Sequence, residues 1–514
     1  MKTTLWMAAM VSVVCVMTVS GTDKIWQGTS GANWTTGANW VGGAAPANDT
    51  TTDRAVFTTG SSGSVNVDAD MRSVGGVLIQ RDIAFAGLRL VCNGSTGLVV
   101  NAGCSVTCSN EFASGTFNAL GDGSTLTCLS IVNSGGTFNM TNATINFTKS
   151  LGFSIGATFS GSGVVNYAST ETNNQAALKL AFNDNVRLVY KSQASDPVNN
   201  NNAYFRFQGT NTLLLEKDAN LTVSNSASIG STSGPMVLWS STTTTVSGAH
   251  ALTISQLNVV SGTSPSLMLD GATLNIGDGG GIAEGVYSSS TGGGSADVYG
   301  SLSWTLAATT NGGTMRVKNS PLGSNFNPNG GQKGGKIIVG TNATLISNCT
   351  WTNRNFTGGD NTGLQVNEGA TLGGTGMFVM GTTPSGYYKT TLISGHVAPG
   401  DGGIGTLTIS CTNLTWNSVS TNGSKWVWDL GNGNAADKLY IDGVFTKGTG
   451  SKFFFDLHNA TRPGTFVLVE WTSNTTFGVS DFAVLNGSGN DTFAIVGKQL
   501  QLTVPARGTS IIIK

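Results

Sequence analysis

The chain has 514 residues, a net charge of −1, 10% charged residues and 39% hydrophobic residues. Typical globular chains carry roughly 25% charged residues, so this is not the composition of an ordinary globular protein. The low charge, with no cluster of lysine or arginine, argues against nucleic-acid binding. The hydrophobic content is high enough to form a core, which argues against intrinsic disorder. Glycine, serine, threonine and asparagine are abundant, so we expect a polar surface with few charges.

The first 21 residues have the pattern of a Sec-type signal peptide. Lys2 precedes an apolar run over residues 5–19, and Val19-Ser20-Gly21 places small or β-branched residues at the cleavage position. The run is shorter than the ~20 residues that a membrane-spanning helix needs. We therefore expect cleavage after Gly21 and no transmembrane segment in the mature chain. The protein would then lie in the periplasm, at the cell surface or outside the cell.

A short unit recurs through the rest of the chain: a small turn residue, an alanine or threonine, a threonine, and an apolar residue that opens a strand. Close or approximate copies occur at residues 123–126, 142–145, 156–159, 219–222, 271–274, 342–345 and 369–372. Strands of four to six residues, separated by glycine, asparagine and serine, predict an all-β protein. Helical periodicity is almost absent after residue 21, so few helices are expected.

Three all-β architectures fit short strands: a sandwich, a propeller and a solenoid. Several sandwiches would need visible linkers, and a propeller would show a sharper repeat of about 40 to 50 residues. An irregular repeat near 20 residues favours a right-handed parallel β-helix. Its stacked coils would also explain the low charge, because like charges about 4.8 Å apart in successive coils repel each other.

The two ends differ from the middle, as the end coils of a solenoid should. The predicted organisation is a signal peptide (1–21), a Trp-rich N-terminal capping segment (22–72), a parallel β-helix (73–415), C-terminal β-rich coils with a cap (416–505), and a tail (506–514). Trp26, Trp34 and Trp40 mark the N-terminal segment.

Motifs at both ends are similar to one bacterial family. The N-terminal motifs are Trp26-Gln27-Gly28, Asn33-Trp34, Asn39-Trp40, Pro46, Asp49, residues 55–57 and residues 74–79. The C-terminal motifs are residues 372–376, 395–400, 404–409, 437–443 and 462–468. In this order they resemble bacterial proteins with autotransporter-associated β-strand repeats. The resemblance implies a passenger-like β-helix at, or released from, the surface of a Gram-negative-type cell. The sequence departs from a classical autotransporter because it shows no C-terminal β-barrel translocator, so export by another route or retention in the periplasm is expected.

Parallel β-helices also include polysaccharide lyases and hydrolases. Arg316-Val317-Lys318 resembles the Arg-x-Lys element of polygalacturonase-type enzymes, which holds a substrate carboxylate. Inverting hydrolysis requires two convergent carboxylates. The sequence contains no Asp-Asp pair, and Val397 follows His396 where those enzymes have a second glycine. The hydrolase motif is therefore incomplete.

A pectate-lyase-like site would need several acidic residues around a calcium ion. The densest local set is Asp270, Asp278, Glu284 and Asp297. Gly-Asp-Gly occurs at 121–123, 277–279 and 400–402, where a plain turn is the favoured interpretation. His250, His396 and His458 are too far apart in sequence to indicate a metal site. We assign no catalytic, cofactor-binding or metal-binding residue.

Four tryptophans, Trp351, Trp416, Trp426 and Trp428, would stack on sugar rings if exposed, and burial in the core is the favoured alternative. Trp426 and Trp428 lie two apart, so both should be buried or both exposed. Six cysteines follow the signal peptide: Cys92, Cys104, Cys108, Cys128, Cys349 and Cys411. Disulfides and stacking as small buried side chains are equally open for them.

The sequence therefore predicts a secreted or cell-surface, structural or adhesin-like β-solenoid without a catalytic site or cofactor. Its expected partners are extracellular polysaccharide or cell-envelope components. The alternative is a β-helical polysaccharide lyase or glycoside hydrolase that uses Arg316, Lys318 and acidic residues. Carboxylates clustered in a groove would favour the enzyme, and a smooth face of threonine, serine and asparagine would favour the non-catalytic protein.

Overall fold

The computed structural model describes residues 22–49, 52–69, 74–92, 97–110, 112–114, 117–129, 131–132, 136–148, 155–167, 178–182, 185–190, 204–207, 211–215, 219–221, 236–238, 243–254, 256–260, 266–276, 285–289, 303–317, 324–326, 336–353, 362–380, 390–420, 424–459, 462–487 and 489–506.

Within these ranges the chain forms short strands, labelled β1 to β46 in chain order. Strands β1 to β15 are Thr22–Ile25, Ala32–Asn33, Asp53–Phe57, Ser64–Val67, Gly76–Ile79, Ile83–Gly87, Leu90–Cys92, Gly97–Val100, Ser105–Cys108, Phe112–Ser114, Phe117–Leu120, Thr125–Cys128, Ile131–Val132, Gly136–Phe147 and Ile155–Tyr167. Strands β16 to β30 are Leu178–Phe182, Asn185–Tyr190, Tyr204–Phe207, Asn211–Leu215, Ala219–Leu221, Met236–Leu238, Thr243–Ser247, Ala251–Ile254, Gln256–Val260, Ser266–Asp270, Thr273–Ile276, Gly285–Ser289, Ser303–Ala308, Gly313–Val317 and Ser324–Phe326.

Strands β31 to β46 are Lys336–Val339, Ala343–Ser347, Thr350–Asn353, Thr362–Val366, Thr371–Gly374, Met377–Met380, Thr390–Ile393, His396–Pro399, Thr406–Trp416, Trp426–Asp429, Lys438–Lys447, Phe453–His458, Gly464–Trp471, Phe482–Val484, Thr492–Val496 and Gln499–Val504. Single 3-10 turns lie at Gly37–Asn39, Asn432–Asn434 and Val479–Asp481. The described ranges contain no α-helix, and none of their elements is a helix long and apolar enough to cross a membrane.

Strands pair in parallel with strands one turn of the chain away, and this pairing builds three faces. In the N-terminal half, β5, β8 and β11 stack on one face, β6, β9 and β12 on the second, and β7, β10 and β13 on the third. In the C-terminal half the third face is a ten-stranded sheet in the order β20-β23-β26-β29-β32-β35-β38-β40-β42-β44. Long parallel sheets of this kind are the arrangement of a β-solenoid, so the prediction of an all-β solenoid is confirmed at this level.

Side chains alternate between the interior and the surface along each strand, because successive residues of a strand point to opposite faces of the sheet. On the third face, the interior positions of successive strands stack in one column. This column is Leu274, Met315, Leu345, Leu372, Val397 and Trp426, and every member is fully buried. Each such side chain contributes about 1.5–3 kcal/mol by leaving water. The stacked columns therefore supply a core that runs along the solenoid.

Aromatic side chains concentrate at the two ends of this core. Trp26, Trp34 and Trp40 are buried and pack edge-to-face, with ring centroids 4.9 Å apart for both Trp26–Trp40 and Trp34–Trp40. Near the other end, Trp416 stacks on Trp426 with a centroid distance of 3.6 Å. At the C-terminal end the pairing changes from parallel to antiparallel, because β46 lies antiparallel between β43 and β45.

The cysteines lie along the core as thiols. Cys92, Cys108, Cys128 and Cys411 are buried and form no disulfide in the described structure. Cys349 is also buried, whereas Cys104 is partly exposed. Burial raises the pKa of Cys108 and of Cys411 to about 12. For the five buried cysteines, the structure therefore agrees with the interpretation as small side chains packed in the core.

Candidate functional site

The outer surface of the third face carries two columns of side chains that run along the solenoid axis. The first column is Thr273, Thr314, Thr344, Thr371 and His396, and the second is Asn275, Arg316, Ile346, Gly373 and Ala398. Neighbouring members of a column are about 4.8 Å apart, the spacing of paired strands. Four successive members of the first column are threonines, so hydroxyl groups repeat along this face.

A groove of about 210 Å³ lies over these columns, along β29, β32, β35, β38, β40 and β42. Its floor is lined by Thr344, Thr371, Gly373 and Ala398. The floor is low because Gly373 has no side chain and Ala398 has only a methyl group. The groove is smaller than the ~300 Å³ at which pockets for drug-sized molecules begin. Its lining residues come from successive coils, so the groove extends across several coils.

One wall of the groove is the loop of residues 400–405, between β38 and β39. The loop begins at Gly400, which forms backbone hydrogen bonds of 2.9 Å in both directions with Gly374. Gly400 and Gly402 have φ values of 90° and 79°, in the left-handed region that favours glycine. The glycines therefore let the chain fold back over the sheet instead of continuing directly into β39.

Asp401, at the tip of this loop, is tied to two earlier coils. Its carboxylate forms an ion pair with Arg316 of β29 and accepts a hydrogen bond of 3.0 Å from Nδ2 of Asn348. Asn348 is itself held, because its Oδ1 accepts a 3.0 Å hydrogen bond from the backbone N–H of Thr375. The side chains of Arg316 and Asp401 keep 35% and 20% of their surface exposed. The ion pair is thus reachable from the groove.

Asp437 anchors the other end of the loop from beneath. Its Oδ1 accepts a 2.8 Å hydrogen bond from the N–H of Gly405, and its Oδ2 accepts one of 2.8 Å from the N–H of Asp429. Only 2% of Asp437 is exposed. Burial raises the pKa of Asp437 to about 6, the neighbouring Asp429 carboxylate acts in the same direction, and the two N–H donors act against it. Both carboxylate oxygens are therefore engaged in holding the backbone.

Asp429 and His458 form a more exposed pair at the C-terminal end of the groove. They are direct neighbours on β40 and β42, and Nδ1 of His458 lies 2.8 Å from Oδ1 of Asp429. Their side chains are 61% exposed for His458 and 35% exposed for Asp429. The pair offers a carboxylate and an imidazole to a ligand, and both groups can form hydrogen bonds with sugar hydroxyls.

The residues singled out in the sequence have different positions in the structure. Arg316 lines the groove, and so does His458. Asp270 lies on β25, where Thr309 and Asn311 hydrogen-bond to its carboxylate and lower its pKa. Lys318, Asp278, Glu284 and Asp297 lie outside the described residues.

The other two histidines do not belong to the groove lining. His250 lies on the turn before β23. His396 ends the threonine column, where its Nδ1 lies 2.9 Å from the carbonyl oxygen of Lys425 and burial lowers its pKa. Among the described side chains, no group of three or more His, Cys, Asp or Glu could hold a metal ion.

The tryptophans are part of the core and not of the groove. Trp351, Trp416, Trp426 and Trp428 are all completely buried. The prediction that Trp426 and Trp428 share one environment is confirmed, and neither can stack on a sugar ring at the surface.

Three acidic residues of the groove were not recognised as a group in the sequence: Asp401, Asp429 and Asp437. The one local signal is Gly-Asp-Gly at 400–402, for which the sequence favours a plain turn. It is a turn, but its aspartate reaches back to Arg316. The Gly-Asp-Gly at 121–123 is also a turn, and its Asp122 accepts a 3.3 Å hydrogen bond from Asn142 in the next coil.

No model of a known protein family matches this chain, and no curated protein matches it in sequence.

Proposed function

We propose that this protein is a secreted or cell-surface β-solenoid that binds extracellular polysaccharide in the groove of its third face, without catalysis. The observation that carries the proposal is the groove itself. On its floor the hydroxyl groups of Thr344 and Thr371 lie on paired strands, about 4.8 Å apart along the axis, and charged side chains stand at its sides. A polysaccharide repeats along its own axis as well. Two successive sugar units would therefore each meet a threonine hydroxyl group.

The hydrogen bonding of the acidic residues supports binding over catalysis. Asp401 is engaged by Arg316 and Asn348, and Asp437 by two backbone N–H groups. Hydrolysis of a glycosidic bond ordinarily uses two carboxyl groups that face the substrate. In this groove Asp429 has the most exposed carboxylate, Asp401 is paired with Arg316, and Asp437 is almost completely buried.

The proposal includes the finer features that the sequence predicts. The coils are right-handed, as is the rule for parallel strands joined by crossovers in one sheet. The Trp-rich and the C-terminal segments cap the solenoid and protect the ends of its core. The protein resembles the passengers of autotransporter-associated repeat proteins and leaves the cytoplasm by its signal peptide. N-terminal sequencing of the protein recovered from the periplasm or the medium should begin at Thr22.

The test is a pull-down with insoluble polysaccharides in which protein depletion and released soluble sugar are both measured. The chain from residue 22 should be depleted without releasing sugar. Ala398→Trp, which fills the floor of the groove, should abolish depletion. Ala84→Trp is the matched control, because Ala84 also lies at a partly exposed position of a strand but on the second face. Equal depletion of both variants would contradict the groove as the binding site.

A second function is favoured by one specific observation: Asp429 lies beside Asp437, and burial raises the pKa of Asp437 to about 6. A protonatable carboxyl group beside a second carboxyl group is the arrangement that glycoside hydrolases use for acid–base chemistry. Release of soluble sugar by the wild type, and its loss in both Asp429→Asn and Asp437→Asn, would establish this enzyme in place of the binding protein.

A further inference from the structure

The two ends of the solenoid differ in how their outermost strands are covered. At the N-terminal end, the edge of β1 that faces away from β3 is covered by the chain itself. The N–H of Val41 donates a 2.9 Å hydrogen bond to the carbonyl oxygen of Ile25, and Trp26 forms an antiparallel bridge with Trp40. The segment after β2 therefore protects this edge from pairing with another strand.

At the C-terminal end, the outermost strand is β45. Because β46 lies between β43 and β45, one edge of β45 faces β46 and the other faces away from the sheet. Within the part of the chain that the structure describes, β45 pairs with β46 alone, and no further hydrogen bond reaches the backbone of residues 492–496. The N–H and C=O groups of the outer edge are thus available to another strand.

The sequence of β45 lacks the features that usually block an edge strand. Such strands commonly have a lysine, a proline or a bulge. The strand reads Thr-Phe-Ala-Ile-Val, and it pairs with β46 without a shift in register. Phe493 and Ile495 pack against the core but are only partly buried, and Val496 on the outer face is 53% exposed. A further strand at this edge would cover part of these apolar side chains.

The strand is also complementary to itself. If a two-fold axis passes through Ala494, antiparallel pairing places Thr492 opposite Val496 of a second copy and Phe493 opposite its Ile495. Directly opposite residues share a face of the sheet, so the two apolar side chains meet on the inner face and the two β-branched ones on the outer face. The small side chain of Ala494 fits beside its own copy at the axis. No charged side chain of the strand meets a like charge.

We propose that β45 is a dimerisation edge, where a second copy of this chain adds its own β45 in antiparallel orientation. The proposal goes beyond polysaccharide binding and does not depend on it. A pair of five-residue strands is about 17 Å long and buries less than the ~1,200 Å² at which standard interfaces begin. We therefore expect a weak dimer, with a dissociation constant on the order of 10–100 µM. Both outer edges are used in the two-fold pair, so association stops at two copies.

The experiment is sedimentation equilibrium of the chain from residue 22, at concentrations from about 1 to about 500 µM. The wild type should change from monomer to dimer over this range. Ala494→Lys and Ala494→Asp each place two like charges opposite each other at the axis, so each should raise the dissociation constant by at least about tenfold. An equimolar mixture of the two variants should dimerise again, because the introduced lysine then faces the introduced aspartate. This recovery requires that residue 494 faces its own copy.

The matched controls are Ala86→Lys and Ala86→Asp. Ala86 is also an exposed alanine of a strand, but its strand β6 is paired on both sides, with β4 and with β9. Both control variants should dimerise as the wild type does. The unfolding midpoint of every variant is measured in parallel, so that loss of the fold is not mistaken for loss of association.

Four results would overturn the proposal. They are a wild type that stays monomeric over the whole range, dimerisation that neither Ala494 variant weakens, failure of the mixed variants to dimerise, and oligomers that keep growing with concentration. If only the chain of residues 22–506 dimerises, the remaining residues occupy the edge, and the proposal is overturned as well. None of these results changes the expected depletion by polysaccharide, so the two proposals are tested separately.

Discussion

Arg316 and Asp401 are 85 positions apart in the sequence, yet their side chains form an ion pair in the wall of a groove. The pair connects β29 to the loop that follows β38, and Asn348, after β32, contacts the same carboxylate. Two earlier coils therefore contact one acidic side chain. Because of this ion pair, the glycine-rich loop of residues 400–405 is held in place as one wall of the candidate site.

The ionisation of Asp437 should make stability depend on pH. Its pKa is about 6 in the folded protein and about 3.8 as the ordinary value, so between these values the folded form binds more protons than the unfolded form. The free energy of unfolding should therefore fall as the pH rises from about 4 to about 7, by up to about 3 kcal/mol. Urea unfolding followed by tryptophan fluorescence at several pH values measures this change.

The control for this prediction is a pair of variants. Asp437→Asn should remove this contribution to the pH dependence. Asp442→Asn, at an exposed position of β41, should retain it because the Asp437 carboxyl is unchanged. If Asp437→Asn and the wild type show the same dependence on pH, the buried carboxyl is not its source.

Gly374, the last residue of β35, should tolerate no side chain, because the backbone of the neighbouring strand lies close to it. Its φ is 102°, and an added Cβ would overlap the carbonyl oxygen of Ser347. Gly374→Ala should therefore lower the free energy of unfolding by roughly 2–4 kcal/mol, from backbone strain and forced movement of the neighbouring strand. Gly403→Ala, in the loop of residues 400–405 and with no atom within 4 Å of the added Cβ, should be nearly neutral. Equal losses in the two variants would show that the close approach to Ser347 is not what limits this position.

Two buried tryptophans should respond differently to replacement by phenylalanine. Nε1 of Trp351 donates a 2.7 Å hydrogen bond to Ser347, whereas Nε1 of Trp426 has no hydrogen-bond partner among the described residues. Trp351→Phe removes the shortest hydrogen bond that the buried Ser347 hydroxyl accepts and leaves it the longer one of 3.5 Å from the N–H of Cys349. Trp426→Phe removes a buried N–H that lacks an acceptor among the described residues. Trp351→Phe should therefore be the more destabilising variant, by about 1–2 kcal/mol in the free energy of unfolding. The opposite order would contradict the hydrogen bonding of these two side chains.

The cysteines should differ in their reaction with an alkylating reagent. Cys104 is partly exposed, whereas burial raises the pKa of Cys108 to about 12 and that of Cys92 and Cys128 well above the usual range. Because the thiolate is the reactive form, iodoacetamide should label Cys104 in the folded protein and the buried thiols only after unfolding. Peptide mass mapping measures each site, and Cys104→Ser should remove the fast reaction. A Cys108–Cys128 disulfide in the purified protein would instead support the disulfide interpretation.

The sequence by itself determined the class of fold and much of the core. Short alternating strands with glycine and asparagine turns predict stacked β-strands, since alternation sets which face of each strand is buried. For the same reason, the spacing of Trp426 and Trp428 was enough to predict a shared environment. Local periodicity contains this information, so no knowledge of distant contacts was needed.

The groove was decided by the tertiary structure alone. Coils of unequal length separate Arg316, Asp401 and Asp437, so the sequence does not show which residues of successive coils lie side by side. Parallel pairing fixes that register through hydrogen bonds between strands far apart in the chain. Only this register places Gly373 and Ala398 next to each other as a low floor, and only the folded loop brings Asp401 back to Arg316.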